Sequence, residues 1–424
     1  MRRKKKKNFQ GVEQCNKCGL CQSACPVYQT IRLESYSPRG KIRLTREIGN
    51  EEIEISDRVK NIFEKCLLCG SCYDICPAGV HGSQLFSGIR WEIAKRYGID
   101  LKKKLLYLLL SQPWRLKASS WMAKWAQEIF GPILPQIKVG NIPFNQIPRF
   151  NKNSFNTQIS NVTPALGRTR AKVLYFHGCA TNFLFERVGF AVINVLTRMG
   201  VEVHTPRNQG CCGLPIFLSG ARQMSLQSIK AVIEKFAKKD FVAIIVDCAT
   251  CGSTFKREYP VLLQQMSKES ASVSPALVSG AEQIAEKTAD IMEFITGHEA
   301  WLPPMIEPDR KVKVTYHAPC HLAKGQDIKK TPRQMLQKLP GIELVPLDQE
   351  EACCGGGGSF QVDHPEISNK ITEKKLKSIQ ETGAEILVTG CPSCLLTIGG
   401  NLDPAAGIRL MHPVELIKKV LENR

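Results

Sequence analysis

Two short cysteine runs near the N-terminus constrain this chain more than any other feature. Both runs have the spacing C-x2-C-x2-C-x3-C and are followed by proline. Their members are Cys15, Cys18, Cys21 and Cys25 in the first run, and Cys66, Cys69, Cys72 and Cys76 in the second. Such tight spacing brings successive thiolates onto one face of a metal centre. We therefore expect these segments to fold around metal.

The spacing resembles that of bacterial-type ferredoxins, where it binds two 4Fe–4S clusters and the fourth cysteine of each run ligates the other cluster. The resemblance implies crossed ligation here. The two predicted ligand sets are Cys15, Cys18, Cys21 and Cys76 for one cluster, and Cys66, Cys69, Cys72 and Cys25 for the other. Zinc sites or disulfides are the alternative uses of these thiols. Crossed ligation holds two clusters close together, which predicts a chain that moves electrons.

The bulk composition fits a reducing compartment. The chain has 424 residues, enough for two to three domains, and its 18 cysteines fall almost entirely in close-spaced patterns. Secreted disulfide proteins do not arrange cysteines in this way. The basic start lacks a following apolar stretch, so we expect no secretory signal, and no apolar run is long enough to span a membrane. We expect a cytoplasmic protein, with peripheral contact to the inner face of the membrane left open.

The formal net charge is +19, with basic clusters at Arg2–Lys7 and Lys102–Lys104. No nucleic-acid-binding signature accompanies this charge, so we expect no nucleic-acid partner. A solvated tail explains the first cluster, and attraction to an acidic partner or an anionic membrane is the alternative. Residues 114–129 place tryptophan, methionine and lysine at helical spacing, which predicts a basic amphipathic helix that packs on a protein or lies on a membrane.

The C-terminal part of the chain contains an internal duplication. Each copy alternates β-rich with helical runs and places five cysteines after its β-rich runs, which predicts α/β lobes with parallel sheets. The cysteines are Cys179, Cys211, Cys212, Cys248 and Cys251 in the first copy, and Cys320, Cys353, Cys354, Cys391 and Cys394 in the second. The offset between copies is 141 to 143 residues. Five thiols exceed what one zinc ion needs.

Polar residues beside these cysteines are candidate auxiliary groups. His177, His317 and His321 lie near the first cysteine of each copy, and we expect them to hydrogen-bond to a cluster or to cap a strand end. Ligation of iron by histidine is the alternative. Asp247 precedes Cys248. We expect its side chain to have a capping role rather than to carry protons coupled to electron transfer.

The doublets Cys211–Cys212 and Cys353–Cys354, each followed by glycine, resemble the cysteine-rich CCG domain of heterodisulfide reductases and related oxidoreductases. The resemblance implies one further 4Fe–4S cluster in each lobe, which in some members of the family is non-cubane and bound by all five cysteines. Zinc or vestigial thiols in one lobe remain the alternatives. The predicted fold is α+β and multidomain. Its domains are a helical two-cluster ferredoxin-like domain at 1–99, a basic amphipathic linker at 100–170, and duplicated α/β CCG lobes at 171–300 and 301–424.

The order of these domains is similar to that of the iron–sulfur subunits of glycolate oxidase and FAD-linked lactate dehydrogenase. The segments SPRGKIRL and CPAGV resemble that family, while YFHGC, CCGLP and HPVELI resemble the iron–sulfur subunit of anaerobic glycerol-3-phosphate dehydrogenase. One of the subunits of heterodisulfide reductases has the same order. The resemblance implies an electron-transfer subunit that accepts electrons from an FAD-containing dehydrogenase partner and passes them to quinone or another carrier. The alternatives are cleavage of a disulfide at a CCG cluster and electron transfer in anaerobic glycerol-3-phosphate dehydrogenase.

Overall fold

The computed structural model describes residues 9–130, 138–139, 142–238, 240–269, 272–308 and 310–422. The basic run predicted at residues 2–7 lies outside these ranges. The described chain mixes helices and strands, as expected for an α+β protein. Among the helices described, none combines the length and the apolar character needed to cross a bilayer.

The N-terminal module is a bundle of short helices around its own apolar core. The helices are α1 (Pro26–Ile31), α2 (Pro38–Gly49), α3 (Asp57–Glu64), α4 (Ser71–Asp74) and α5 (Gly82–Tyr97). The sequence predicts a turn at residues 38–40 before a helical stretch, but helix α2 already begins at Pro38, because the Ser37 hydroxyl accepts the N–H of Gly40 and Pro38 occupies the first helical position. The helical spacing of apolar residues predicts two further helices at 57–65 and 84–97, and α3 and α5 confirm them.

A helical hairpin connects this module to the rest of the chain. It consists of α6 (Leu101–Leu110) and α7 (Pro113–Phe130), and a short antiparallel pair follows, β1 (Lys138–Val139) with β2 (Ile142–Pro143). The polar sequence at residues 151–161 predicts an irregular connector. It instead contains α8 (Phe155–Gln158), and the edge strand β3 (Val162–Thr163) follows it. The buried ring of Phe155, which packs against the ring of Tyr175, explains why this stretch is ordered.

The first five-stranded sheet has the order β3-β5-β4-β6-β7, in which only β3 is antiparallel to its neighbour. Its lobe contains β4 (Ala171–Phe176), α9 (Gly178–Phe183), α10 (Glu186–Arg198), β5 (Val201–His204), α11 (Leu214–Leu218), α12 (Arg222–Phe236), β6 (Ala243–Val246), α13 (Ala249–Ser253), α14 (Tyr259–Glu269), α15 (Pro275–Lys287), β7 (Thr288–Asp290) and α16 (Ile291–Gly297). Strand β4 is buried along nearly its whole length, as parallel strands covered by helices on both faces are.

The second sheet is fully parallel and has the order β11-β10-β8-β9. Its lobe contains β8 (Val312–Tyr316), α17 (Cys320–Ala323), α18 (Thr331–Lys338), β9 (Ile342–Val345), α19 (Phe360–Asp363), α20 (Pro365–Glu381), β10 (Ile386–Val388), α21 (Pro392–Gly399), β11 (Arg409–Met411) and α22 (Pro413–Glu422). The parallel strands of both sheets therefore follow the same sequential order, and the cysteines of each copy come after their carboxyl ends.

The last helix of each lobe packs against the other lobe. Helix α16 packs against α18 of the second lobe, and α22 packs against α10 of the first. One apolar core consequently contains buried residues of both lobes, including Val195 and Val414. Helix α13 also packs against α17, so the cysteine-bearing ends of the two sheets face each other.

Candidate metal centres

The two N-terminal cysteine runs adopt the same backbone conformation. Lys17 and Leu68, two positions after the first cysteine of their runs, have φ angles of 61° and 51°. Gly19 and Gly70, directly after the second cysteine, have φ angles of 86° and 75°. Left-handed residues at these positions turn the chain sharply, so that successive thiols and N–H groups line one concave loop. Each run thus forms the same kind of cradle.

The thiols of the first run lie close together. Burial raises the pKa of Cys21, and the nearby thiols of Cys15, Cys18 and Cys25 add to the shift, which brings the pKa to about 11. Cys76, the fourth cysteine of the second run, packs with Cys15 against the apolar core of the N-terminal module. These contacts are compatible with the first predicted ligand set.

The fourth cysteine of the first run lies beside the second run. Burial raises the pKa of Cys25 to about 12, Lys41 opposes this shift, and the neighbouring Cys66 and Cys69 add to it. Burial also raises the pKa of Cys72, and the same three cysteines contribute. Crossed ligation requires this arrangement, in which Cys25 leaves its own run and joins the other.

A buried cation accompanies this second group. The Lys41 side chain is only 1% exposed, and its ammonium donates to the carbonyl of Tyr36 over 2.6 Å. Burial lowers the pKa of Lys41, and nearby Cys66 and Cys25 counteract this shift. A positive charge here offsets the negative charge of thiolates and favours reduction of a cluster. Nothing in the sequence distinguishes Lys41 from the many surface lysines.

The first CCG motif brings its five cysteines together, because Cys248 contacts Cys251. Contact with Cys179 raises the pKa of Cys211, and contact with Cys212 raises it further. Contact with Cys212 likewise raises the pKa of Cys251. The Thr254 hydroxyl donates to the Cys212 sulfur over 3.8 Å. The sequence expectation that these residues share one site is therefore compatible with the structure.

The second CCG motif forms a similar group, which also contains a histidine. The sulfur of Cys354 lies 3.5 Å from that of Cys394. His317 joins them, and the ligand atoms of these three residues lie within 4.8 Å of one another. Contact with Cys353 raises the pKa of Cys320. Contact with Cys354 raises the pKa of Cys394, and contact with Cys391 contributes, so the remaining cysteines lie beside this group.

Two junctions connect the cysteine groups. Contact with Cys353 of the second lobe raises the pKa of Cys69 of the N-terminal module. Contact with Cys248 of the first lobe lowers the pKa of Cys391 of the second, and the Thr250 hydroxyl lies 3.5 Å from the Cys391 sulfur. A series of neighbouring thiols therefore leads from the N-terminal runs through the second lobe to the first.

Known proteins share both kinds of cysteine motif. Residues 11–80 match the 4Fe-4S dicluster domain, and residues 173–256 and 314–399 match the cysteine-rich domain. Lactate utilization protein A of Bacillus pumilus is 34% identical over 60% of this chain and 100% of its own length. The glycolate oxidase iron-sulfur subunit of Escherichia coli is 25% identical over 96% of this chain and 94% of its own length. The chain belongs to the family of these iron–sulfur proteins. A fumarate reductase (CoM/CoB) subunit of Methanothermobacter marburgensis is a further relative, 26% identical over 95% of this chain and 71% of its own length.

Iron–sulfur clusters fit the residues present in this family member. All 18 cysteines are free thiols. Burial and mutual repulsion raise the pKa of many of them, so a densely packed group of thiolates needs a strongly cationic partner. Iron supplies that charge and prefers thiolate sulfur. Oxidised disulfides are not needed to explain any of these contacts.

Two of the three histidines are satisfied by protein groups. The Nδ1–H of His177 donates to the carbonyl of Gly178 over 2.8 Å, and its Nε2 accepts from the side-chain amide of Asn156 over 2.9 Å. Nδ1 of His321 lies 3.2 Å from the Thr250 hydroxyl. His177 therefore has no ring nitrogen left to contact a cluster.

Asp247 is held by two hydroxyl groups. Its Oδ2 accepts from Tyr175 over 2.6 Å and from Thr181 over 2.8 Å, while burial raises the pKa of its carboxyl to about 7. These contacts fix the loop that leads from β6 to Cys248. The sequence singled out Asp247 but not Tyr175 or Thr181, which look like ordinary core residues until the strands and helices are assembled.

Proposed function

We propose that the chain is the iron–sulfur electron-transfer subunit of an oxidoreductase in which a separate FAD-containing subunit oxidises a 2-hydroxy acid such as lactate or glycolate. The single observation that carries the proposal is the series of neighbouring thiols through all three cysteine-bearing parts of the chain. Relatives named as iron-sulfur subunits support it. The proposed clusters supply electron transfer, and the proposed terminal acceptor is quinone or another carrier.

The proposed ligands follow the grouping of the thiols. The sets are Cys15, Cys18, Cys21 and Cys76; Cys66, Cys69, Cys72 and Cys25; Cys179, Cys211, Cys212, Cys248 and Cys251; and Cys320, Cys353, Cys354, Cys391 and Cys394. The Cys69–Cys353 and Cys248–Cys391 junctions support an order for the four centres. In this order the second lobe lies between the N-terminal clusters and the first lobe.

The dehydrogenation chemistry is proposed to reside on the partner. The sequence has no Gly-x-Gly-x-x-Gly turn between a strand and a helix, and its glycine run at residues 355–358 follows a cysteine doublet. Two of these glycines approach neighbouring groups closely: a Cβ at Gly355 would lie 2.6 Å from the Thr372 hydroxyl, and one at Gly356 would lie 2.3 Å from that of Thr397. The run is thus part of a packed cysteine site.

Anaerobic purification of the tagged chain from its own host tests the proposal. We expect a stoichiometric flavoprotein to co-elute and its flavin absorbance to bleach on addition of lactate or glycolate. The Cys18→Ala variant is the control, since it should retain the flavoprotein but lose one N-terminal cluster and electron flow to dyes. An iron-rich chain without flavin that reduces a disulfide by itself would contradict the proposal.

We further propose that the hairpin of α6 and α7 lies on an anionic membrane surface. Its second helix exposes Trp114, Trp121 and Trp125 by 66%, 62% and 51%, so at least half of each side chain faces outward. Exposed Lys102 and Lys117 lie on the same hairpin. Tryptophan and lysine together suit the headgroup region of a membrane with negative charge.

The double substitution Trp121→Ser and Trp125→Ser should weaken binding to vesicles that contain phosphatidylglycerol. The loss should reach at least about 10-fold, because burial of one large apolar side chain is worth about 1.5–3 kcal/mol. Sedimentation with vesicles measures it. Leu166→Ser with Val242→Ser is the matched control, since these residues are 61% and 62% exposed outside the hairpin. Equal sedimentation of both variants, or loss of only the flavoprotein, would contradict a membrane role.

A further inference from the structure

His317 occupies a fixed position at the second CCG site. It directly follows β8, and its backbone N–H donates to the carbonyl of Val388 in the neighbouring strand over 3.0 Å. Its side chain is fully buried. The sheet therefore holds the backbone of His317 in place.

The hydrogen bonds of the ring determine its tautomer. Nδ1 of His317 lies 3.1 Å from the carbonyl oxygen of Glu350, and a carbonyl can only accept. Nδ1 consequently carries the hydrogen, and Nε2 presents a lone pair. That Nε2 is buried and has no hydrogen-bond partner among the described residues. A histidine whose other nitrogen donates to a backbone carbonyl has the arrangement that orients metal ligands.

The ring lies beside sulfur. A ring nitrogen of His317 and the thiols of Cys354 and Cys394 form the group whose ligand atoms lie within 4.8 Å of one another. Because the Glu350 carbonyl engages Nδ1, Nε2 is the nitrogen with a lone pair to offer this group. Thiolates bound to a cluster, and its inorganic sulfides, can only accept hydrogen bonds. These sulfur atoms therefore cannot donate a hydrogen bond to the lone pair of Nε2, whereas an iron atom can bind that lone pair.

We propose that Nε2 of His317 is a ligand of iron at the second CCG site. The expectation from sequence, a hydrogen bond to the cluster or a strand cap, is not met for this nitrogen, because it has no hydrogen to donate. The inference concerns this chain's own centre and does not depend on the identity of the flavin partner or its substrate.

The first CCG site provides an internal comparison. The segments ending at Cys179 and Cys320 align without a gap, so Phe176 occupies the position of His317. The Phe176 ring packs edge-on against Phe255, with centroids 4.8 Å apart, and supplies no ligand. The two sites therefore differ in one ligand. The imidazole is a neutral addition to the five thiols of this site, so it offers iron a further bond without adding negative charge.

Pulsed electron paramagnetic resonance on the anaerobic holoprotein tests the ligand. Growth with nitrogen-15 histidine should convert a directly coupled nitrogen-14 signal of one centre to nitrogen-15. His317→Phe, which copies the first site, should abolish the signal completely. His177→Gln is the matched control and should retain it, because both ring nitrogens of His177 already bond to protein groups.

A second readout keeps the test decisive if His317→Phe assembles poorly. His317→Cys restores a metal-binding side chain at the same position and should recover the iron content that His317→Phe loses. Three results would overturn the proposal. They are the absence of an isotope-sensitive histidine signal in the wild-type protein, its persistence in His317→Phe, and zinc instead of iron at this site.

Discussion

Replacement of Cys354 with serine should disconnect the two ends of the electron path. The Cys354 and Cys394 sulfurs lie 3.5 Å apart in the second lobe, between the Cys69 and Cys248 junctions. Loss of this centre leaves a gap between the N-terminal clusters and the first lobe. Electron transfer across the gap should fall by at least about 10-fold. Removal of a group that only orients a metal ligand already costs about 10–100-fold in activity, and Cys354 is itself a proposed ligand.

Rapid freeze-quenching after mixing with the reduced flavoprotein measures this effect. In the Cys354→Ser protein one end of the path should become reduced while the other remains oxidised, whichever end accepts the first electron. Cys212→Ser, the equivalent change in the first lobe, is the matched control. It should leave electron exchange between the N-terminal clusters and the second lobe intact. Reduction of both ends at the wild-type rate in Cys354→Ser would exclude the proposed order.

The sequence predicts local features of the fold and site well, because they depend on spacing. Two identical cysteine spacings predict two identical cradles, and the matched φ angles of Lys17 and Leu68 are their structural counterpart. The junction between Cys69 and Cys353 has no such signal, since it arises from packing between segments far apart in the chain. The order of the centres along the electron path therefore depends on tertiary structure, whereas the cysteines that form the centres can be predicted from the sequence.

The histidines show the same limit at single residues. His177 and His317 both precede a cysteine at the end of a strand, and the sequence treats them alike. The structure separates them, because Asn156 occupies Nε2 of His177 while Nε2 of His317 has no hydrogen-bond partner among the described residues. Hydrogen-bond partners supplied by distant segments decide which ring nitrogen is available, and residue type alone cannot.

Replacement of Arg90 with methionine should produce the largest loss of stability outside the cysteines. Its guanidinium donates to four backbone carbonyls, those of Phe63, Glu64 and Cys66 in the N-terminal module and that of Leu218 in the first lobe. Methionine has a similar length but no donor, so these carbonyls would lose their charged partner. Because removal of one partner of a buried charged interaction costs about 3–5 kcal/mol, we expect a loss of that size in the free energy of unfolding.

Anaerobic urea unfolding of the cluster-loaded protein, followed by circular dichroism, measures the Arg90→Met effect. Arg96→Met is the control: this arginine is half exposed and pairs with exposed Glu54, so its loss should cost less than about 1 kcal/mol. Gly220→Ala perturbs a different contact between the same two segments, because a Cβ there would lie 2.3 Å from the backbone carbonyl oxygen of Arg90, and its φ of 89° adds backbone strain of its own. If Arg90→Met and Arg96→Met proved equally mild, Arg90 would not hold the N-terminal module against the first lobe. A large loss in Arg90→Met but not in Arg96→Met would mean that the buried guanidinium, which bonds to carbonyls of both parts, couples the folding of the cluster-binding module to that of the lobe.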